Sequence, residues 1–257
     1  MKKLTPGEAC QYWRSVHGDA GSDLAAVCFP DRTQAFNRFF DRIQRFAMQR
    51  CLTHLGIALA GRRLLDLGCG RGRWLEFFAA RGATVAGIDI SGDAARLCGG
   101  KRLAVCQGSI AALPFADDSV EVVSSITVIQ HIVPQEQEAA IREVQRVLKP
   151  GGYAILLENT SEDSSWHVWG MPVSRWVSLF DRSRLILLEN HYYVPLFRLL
   201  WRIRLVAGRR GVRNAVEYLA LPIAYALEFG LMTLRFRRSG SAGLQHLMVF
   251  EKSASAS

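Results

Sequence analysis

Three glycines at alternate positions follow a short apolar run in the stretch LLDLGCGRGRW. They are Gly68, Gly70 and Gly72, and the run before them, RLLDL, contains Asp66. Glycine has no Cβ and adopts positive φ, so a ligand can lie directly against the peptide groups of such a turn. A second acid, Asp89, lies 21 residues beyond Gly68, where a carboxylate can accept two hydrogen bonds from a ribose diol. The spacing predicts a site for a nucleoside-like ligand.

The glycine pattern does not match either of the common phosphate-binding motifs. A dinucleotide site requires the pattern G-x-G-x-x-G, and Arg73 stands where its third glycine would fall. A mononucleotide loop requires G-K-[ST], which the stretch lacks. The missing third glycine also disfavours a nicotinamide-dependent oxidoreductase.

Short apolar runs alternate with helical stretches from residue 63 onward, which predicts the elements that position these residues. Apolar runs without alternation suit strands buried on both faces, and strand–helix–strand order implies right-handed crossovers. We therefore expect an α/β fold with a doubly wound, mostly parallel sheet. Its strands are predicted at 63–67, 83–89, 102–108, 120–126 and 152–159, in LILLENHYYV, and at 244–252.

The pattern divides the chain into four segments. Residues 1–60 are predicted as an N-terminal helical cap, 61–194 as the α/β core, 195–243 as a helical insertion, and 244–257 as the last strand and tail. The cap carries one apolar stripe at helical spacing, and Gly56 is expected to end its helix. We expect Tyr12 and Trp13 to pack in the core, with closure over the ligand as the alternative. The stripe consists of Phe36, Phe39, Phe40, Ile43, Phe46 and Ala47.

Five segments in order resemble the motifs of class I S-adenosylmethionine-dependent methyltransferases of the small-molecule type. They are LLDLGCGRG, GIDIS, CQGSIAALPFADDSVEVVSS, ITVIQHI and RVLKPGGYAILLE, and together they cover about residues 60–160. The resemblance implies a Rossmann-like sheet of seven strands and S-adenosylmethionine as cofactor. A domain that binds no cofactor is the competing interpretation, and the five ordered segments disfavour it.

The resemblance also implies roles for individual residues. Asp66, Gly68, Cys69 and Gly70 would hold the methionine end of the cofactor, and Asp89 would hold the ribose. Ile90, Ser109 and Ile110 would contact the adenine, and Ser125 would border the sulfur. The third motif reads GSI where the family usually has GDA, so Ser109 brings no charge to the adenine amino group. Cys69 is interpreted as a small packing residue and not as a nucleophile.

His131, just past the fourth predicted strand, is the candidate catalytic residue. Its imidazole could accept a proton from an acceptor hydroxyl, or it could pack against the cofactor. Gln130 stands where related quinone methyltransferases often have a glutamate, which argues against a metal, and no metal site is predicted. Trp166, His167, Tyr192 and Tyr193 are candidates for contact with the acceptor; a surface loop is the alternative for Trp166 and His167.

The net charge and the cysteine content limit which partners and which cellular compartment are expected. The formal net charge is +9, and nine arginines against two glutamates lie between residues 198 and 238. The six cysteines form no CxxC pair, and no secretory leader or spanning stretch is recognised, so we expect a cytoplasmic protein. The insertion at 195–243 is interpreted as an apolar lid over the acceptor or as a helix in the membrane interface.

These features favour methyl transfer to a small hydrophobic, lipid-linked or glycan-linked acceptor, most simply on oxygen. An RNA methyltransferase is an alternative suggested by the charge, but the sequence contains no RNA-binding motif and a nucleic-acid partner is not expected. A cofactor-binding module without catalysis is the other alternative. The acceptor itself is not predicted.

Overall fold

Seven strands form a single sheet in the computed structural model, which describes residues 5–19, 33–161, 167–190, 245–254 and the isolated positions 219, 222, 223, 226, 227 and 230. The strands lie in the order β3-β2-β1-β4-β5-β7-β6. They are β1 (Arg63–Leu67), β2 (Thr84–Asp89), β3 (Ala104–Gln107), β4 (Val120–Ile126), β5 (Leu148–Asn159), β6 (Ser183–Asn190) and β7 (Gln245–Lys252).

The sheet is parallel from β3 to β5, and β7 is antiparallel to both of its neighbours. Chain order reverses between β1 and β4, so the carboxyl ends of these two strands flank a crevice in which open α/β sheets bind ligands. The prediction of a doubly wound, mostly parallel, seven-stranded sheet is confirmed. Each predicted strand is present; the limits of β1 and β4 coincide with the prediction, and the other strands differ from it by one to four residues at their described ends.

Helices cover both faces of the sheet. The helices are α1 (Pro6–Asp19), α2 (Gln34–His54), α3 (Arg73–Ala79), α4 (Gly92–Gly100), α5 (Pro134–Val147) and α6 (Val173–Leu179), and a 3-10 turn spans Ile129–His131. Among the described residues, no helix is long and apolar enough to cross a bilayer. Helices α1 and α2 confirm the prediction of N-terminal helices.

Alternate residues of β1 enter two separate apolar layers, as the two-residue period of a strand requires. Leu65 packs in a layer with Ile141 of α5 and Trp176 of α6. Leu64 packs in the opposite layer with Met48 of α2 and Phe78 of α3. Burial on both faces explains why the strands are recognisable as continuous apolar runs.

An ion pair ties α2 to the helix that follows the glycine loop. The buried Arg73 guanidinium donates to Asp41 and Gln44, each at 2.9 Å. Arg45 donates to the backbone carbonyl of Arg73 at 3.3 Å. Because α3 has no side-chain N-cap, this link from α2 supports the first turn of the helix.

The largest difference between a predicted and an observed element limit concerns β5. β5 begins at Leu148 and not at residue 152, because Leu148 pairs with Val120 before the ladder shifts register. The positive φ of Gly151, 73°, accommodates this irregularity, and α5 ends at Val147. In the stripe of α2, Phe46 is only partly buried, whereas the other five predicted residues are buried.

Candidate cofactor and acceptor site

The loop after β1 needs glycine for two separate reasons. Gly68, Gly70 and Gly72 all have positive φ, at 58°, 52° and 84°. A Cβ on Gly68 would lie 2.4 Å from a methyl carbon of Val128, and one on Gly72 would lie 2.5 Å from Leu103. The loop therefore needs glycine both for its backbone conformation and for its close packing against neighbouring segments.

Asp89 connects the end of β2 to this loop. Its buried carboxylate accepts hydrogen bonds from the Gly70 amide at 2.8 Å and from the Ser91 amide at 2.9 Å, one on each oxygen. Each carboxylate oxygen has two lone pairs, so each can accept a further bond from a ligand hydroxyl. The side chain predicted to hold a ribose thus lies within hydrogen-bond distance of the glycine loop.

Asp66 lies one residue before the end of β1 and is buried. Burial raises the pKa of its carboxyl to about 7, although the hydroxyl of Ser124, 2.6 Å away, and the charge of Arg73 act in the opposite direction. A carboxyl with this pKa is partly ionised at neutral pH. Together with Asp89 it favours a cation at this end of the sheet.

The thiol of Cys69 packs beneath the glycine loop. A Cβ on Gly87 would lie 2.6 Å from the Cys69 sulfur, so the two residues are in close contact. A hydrogen bond with Cys98, followed by burial, raises the pKa of the Cys69 thiol, which favours its protonated form. This agrees with the interpretation of Cys69 as a packing residue, because the reactive species of cysteine is the thiolate.

The residues predicted to contact the adenine lie at the carboxyl ends of β2 and β3. Ile90 is partly buried, and its carbonyl accepts from Gln107 at 3.3 Å. Ser109 is exposed, and its hydroxyl accepts from the Ala111 amide at 3.2 Å. Ile110 is buried in the same apolar layer as Leu65. Their contact with adenine stays a prediction.

Ser125 is fully buried, and its hydroxyl donates to Glu158 at 2.7 Å. Glu158 also accepts from the amides of Val128, Ile129 and Gln130, at 3.1, 3.1 and 3.2 Å. Sequence reasoning missed Glu158, because nothing local marks a glutamate near the end of a strand as the partner of a turn about 30 residues earlier. The role of Ser125 beside the sulfur stays a prediction.

His131 is held as one neutral tautomer. Its Nδ1 lies 2.8 Å from the carbonyl oxygen of His167, which can only accept, so Nδ1 carries the hydrogen. The Gln130 side-chain oxygen accepts from the Asn159 amide at 2.8 Å, so its NH2 group donates to His131 Nε2 at 3.2 Å. Burial lowers the pKa of His131 to about 4. The ring is therefore uncharged at neutral pH.

Helix α1 contributes two aromatic rings to the surroundings of His131. Trp13 contacts His131 edge-on with ring centroids 4.6 Å apart, and Tyr12 lies 5.8 Å from the ring of His167. The two imidazoles stack at 5.2 Å. Tyr12 and Trp13 are only partly buried, so the expectation that they pack in the core was wrong. Their position beside His131 agrees with the alternative of closure over the site.

The other candidate residues are described only in part. Trp166, Tyr192 and Tyr193, predicted to contact the acceptor, lie outside the described residues, as does most of the insertion at 195–243. Within the described ranges, no group of three or more His, Cys, Asp or Glu side chains could hold a metal ion. The structure therefore brings together the glycine loop, Asp66, Asp89, Ser125, His131 and His167 at the carboxyl ends of the central strands.

Residues 65–156 match the family described as the methyltransferase domain. This range contains the glycine loop, Asp89 and the turn that carries His131. The chain belongs to the class I S-adenosylmethionine-dependent methyltransferases. The residues of the site fit S-adenosylmethionine, because the glycine turn presents close-packed backbone and the Asp89 oxygens keep lone pairs for further hydrogen bonds. The contacts of these residues with its methionine end and its ribose stay predictions.

Two of the relatives that have a named activity are O-methyltransferases, and another is a demethylmenaquinone methyltransferase of Clavibacter sepedonicus, 33% identical over 123 residues and covering 46% of this chain and 48% of that protein. The chain is 33% identical over 179 residues to a malonyl-[acyl-carrier protein] O-methyltransferase of Erwinia pyrifoliae, covering 65% of this chain and 66% of that protein. It is 34% identical over 122 residues to a fatty-acid O-methyltransferase of Mycolicibacterium smegmatis, covering 44% and 43%. The chain spans about half the length of several curated relatives, 57%, 44% and 43% of three of them.

A solved structure supports the fold. An S-adenosylmethionine-dependent methyltransferase from Archaeoglobus fulgidus superimposes on the chain with a TM-score of 0.55 at 18% identity. The superposition covers 84% of this chain and 99% of that one. At this identity the likeness concerns the fold alone.

Proposed function

We propose that this methyltransferase transfers the methyl group of S-adenosylmethionine to a carboxylate oxygen of a small hydrophobic acceptor. The observation that carries the proposal is the fixed, neutral His131 at the carboxyl end of β4, whose two ring nitrogens are both engaged in hydrogen bonds. S-adenosylmethionine supplies an electrophilic methyl group on a sulfonium. The chain has to hold an oxygen nucleophile in line with that methyl group and keep water away.

The state of His131 bears on which kind of oxygen can react. An alcohol acceptor must lose a proton, and the imidazole lone pair that could accept it already accepts from Gln130. A pKa of about 4 makes His131 a weak base at neutral pH. A carboxylic acid is already ionised there and needs no base. The names of the fatty-acid and malonyl relatives also support an acyl compound as acceptor.

In this proposal His131 orients the acceptor and does not remove a proton. The rings of Trp13, His131 and His167 form an uncharged wall at the end of β4. Such a wall suits the apolar part of an acyl chain, and it holds no cation that would repel the sulfonium. Tyr12 adds a further ring, and burial raises the pKa of its phenol.

The test measures methyl ester formation from palmitate and S-adenosylmethionine. We expect His131→Ala to lower the rate of methyl transfer by about 10- to 100-fold, as for loss of a positioning contact. Binding of S-adenosylhomocysteine, measured by calorimetry, should change by less than about twofold, since no described contact joins His131 to the glycine loop. His54→Ala, at an exposed position in the last turn of α2, is the matched control.

Three outcomes would count against this function. Methylation of alcohols but of no carboxylic acid would show that the acceptor oxygen is wrongly assigned. Cofactor binding without transfer to any acid or alcohol would favour the non-catalytic module. Transfer to RNA alone would favour the remaining alternative.

We propose in addition that the insertion contacts an anionic lipid surface. Positions 219, 222, 223, 226, 227 and 230 are helical and follow one helix face, and all six are apolar residues or glycine. Leu219, Ile223 and Leu227 are exposed at 76%, 63% and 46%. The segment 198–238 carries nine arginines and two glutamates, a net charge of +7 out of the chain's +9. An exposed apolar stripe in a basic segment suits an anionic membrane interface.

Sedimentation with vesicles tests this contact. We expect the protein to bind vesicles that contain phosphatidylglycerol more strongly than vesicles of phosphatidylcholine alone, and to lose binding when Leu219, Ile223 and Leu227 are all changed to Ser. Val177→Ser, at an exposed apolar position on α6, is the control. Equal sedimentation of wild type and triple variant would contradict the proposal. Loss of a dimer in the triple variant, with no vesicle binding by the wild type, would instead assign the stripe to self-association.

A further inference from the structure

Glu158 occupies an unusual position for a charged side chain. It is fully buried near the end of β5, in the middle of the sheet. Burial of a carboxylate is unfavourable unless its oxygens are hydrogen-bonded, and here they accept four bonds. All four donors belong to one short segment at the end of β4: the Ser125 hydroxyl and the amides of Val128, Ile129 and Gln130.

The turn that Glu158 holds is strained and lacks a cap of its own. Thr127, just before the turn, has a positive φ of 58°, which is unfavourable for a β-branched residue. Val128 stands at the N-cap position, and no side-chain cap bond is formed there. Glu158 therefore supplies from a neighbouring strand the acceptor that an N-cap residue normally supplies. Strained residues of this kind persist where surrounding contacts fix them.

Gln130 links the carboxylate of Glu158 to the ring of His131. Its amide donates to Glu158, its carbonyl accepts from the Trp169 amide at 2.7 Å, and its side chain joins the Asn159 amide to the His131 ring. The adjacent residues Glu158 and Asn159 thus hold Gln130 by its backbone and by its side chain. Gln130 and the carbonyl group of His167 together fix the orientation of the His131 ring.

We propose that Glu158 is a positioning residue of the methyltransferase: its ionised carboxylate fixes the turn Ile129–His131 and, through Gln130, the orientation of the His131 ring. The inference rests on the proposed function only in taking His131 to face the acceptor. Loss of the charge should loosen the turn, because the hydrogen bonds to a neutral carboxyl are weaker and its O–H hydrogen competes with one of the four donors that now point at it.

The proposal implies that methyl transfer depends on pH through the ionisation of Glu158 and not through that of His131. Burial raises the pKa of Glu158 to about 7, while the Ser125 hydroxyl and the three amides act to lower it. Among the described residues, the titratable side chains on the neighbouring elements at this end of the sheet include Asp66 on β1, His131 on the turn, His167, which stacks on His131, and His246, which is the register partner of Glu158 on β7. His131 itself, with a pKa of about 4, stays neutral throughout this range. Methyl transfer should therefore fall as pH falls through about 7.

Nuclear magnetic resonance of the His131 ring nitrogens tests the proposal without any acceptor. In the wild type we expect the signals of the Nδ1–H tautomer, with a shift of these signals whose midpoint is near pH 7. In Glu158→Gln this step should be absent and the ring signals should differ from those of the wild type at pH 8. Glu251→Gln, at a paired position on β7 away from the turn, should keep the wild-type titration.

Turnover provides the second readout. Glu158→Gln should lower kcat for palmitate up to about 100-fold and leave calorimetric binding of S-adenosylhomocysteine within about twofold, as expected when reacting groups are misplaced. Ser125→Ala, a milder change, should move the midpoint of the His131 shift and of kcat to higher pH, because the lost hydroxyl stabilised the ionised carboxylate. This second variant keeps the proposal testable if Glu158→Gln does not fold.

Two results would overturn the positioning role. One is a step near pH 7 in the His131 signals that persists unchanged in Glu158→Gln. The other is a midpoint in Ser125→Ala that stays at the wild-type pH. Because the magnetic resonance readout needs no acceptor, absence of palmitate methylation would count against the proposed function and leave this inference to be decided on the ring signals.

Discussion

At the scale of single residues, Asp89 has two tasks. Its carboxylate joins the end of β2 to the glycine loop through the Gly70 amide and to the following turn through the Ser91 amide. We propose that it also accepts hydrogen bonds from the ribose of S-adenosylmethionine. Sequence spacing predicted the second task but not the first, because a bond to the Gly70 amide appears only when β1 and β2 are side by side. Under this proposal, the shape of the loop and the binding of the ligand depend on the same carboxylate.

Asp89→Asn should weaken binding of S-adenosylhomocysteine by about 10- to 100-fold, the range for loss of a hydrogen bond to a charged group. The amide has one acceptor oxygen, so it cannot accept from both Gly70 and Ser91 in the present arrangement. Calorimetry measures the change. Asp93→Asn, four residues further on and paired with Arg96 at the surface, should bind like the wild type. Unchanged affinity in Asp89→Asn would remove Asp89 from the cofactor site.

At the scale of elements, the strands were predictable and the turns between them were not. β1 and β4 coincide with their predicted limits, since their residues are buried on both faces and leave a continuous apolar signal. β5 was predicted too short, because KPGG ends a helix and the pairing of Leu148 with Val120 cannot be read from that motif.

The surroundings of His131 show why the rest of the site could not be predicted. Three sets of contacts join residues that are far apart in the chain. They are the hydrogen bonds to Glu158, the hydrogen bond to the side chain of Gln130, and the ring contacts of α1. In the sequence, Tyr12 and Trp13 look like ordinary apolar residues of a helix. Only the packing of α1 places them beside His131 and His167. Periodicity indicates which face of a helix is apolar, but not which element it meets.

At the scale of the whole molecule, two buried carboxyls make stability depend on pH. The folded-state pKa values of Asp66 and Glu158 are both raised by burial to about 7, above the ordinary 3.8 and 4.5. Between those values the folded protein keeps protons that the unfolded chain releases, so their stabilising contribution is present at low pH and is lost as pH rises through about 7. His131, whose pKa is lowered to about 4, acts in the opposite sense below its ordinary 6.5.

A comparison of Asp66→Asn with the wild type isolates one of these groups. The wild type should lose stability relative to the variant as pH rises from about 5 to 7, by up to about 1.4 kcal/mol per pH unit. Urea unfolding at several pH values, without cofactor, measures the difference. Asp93→Asn is again the control, and a difference for Asp66→Asn that is independent of pH would contradict the assigned shift.

The position of β7 in the sheet has a consequence for the protein during its translation. β7 lies between β5 and β6, yet it follows β6 in the chain by more than 50 residues. While the ribosome is still adding residues 191–244, β5 and β6 are both complete and have no strand between them. Their unpaired edges are then open to other nascent chains. A fragment that ends in this stretch would therefore be prone to aggregation. Slow translation there would increase the need for chaperones that bind these unpaired strands.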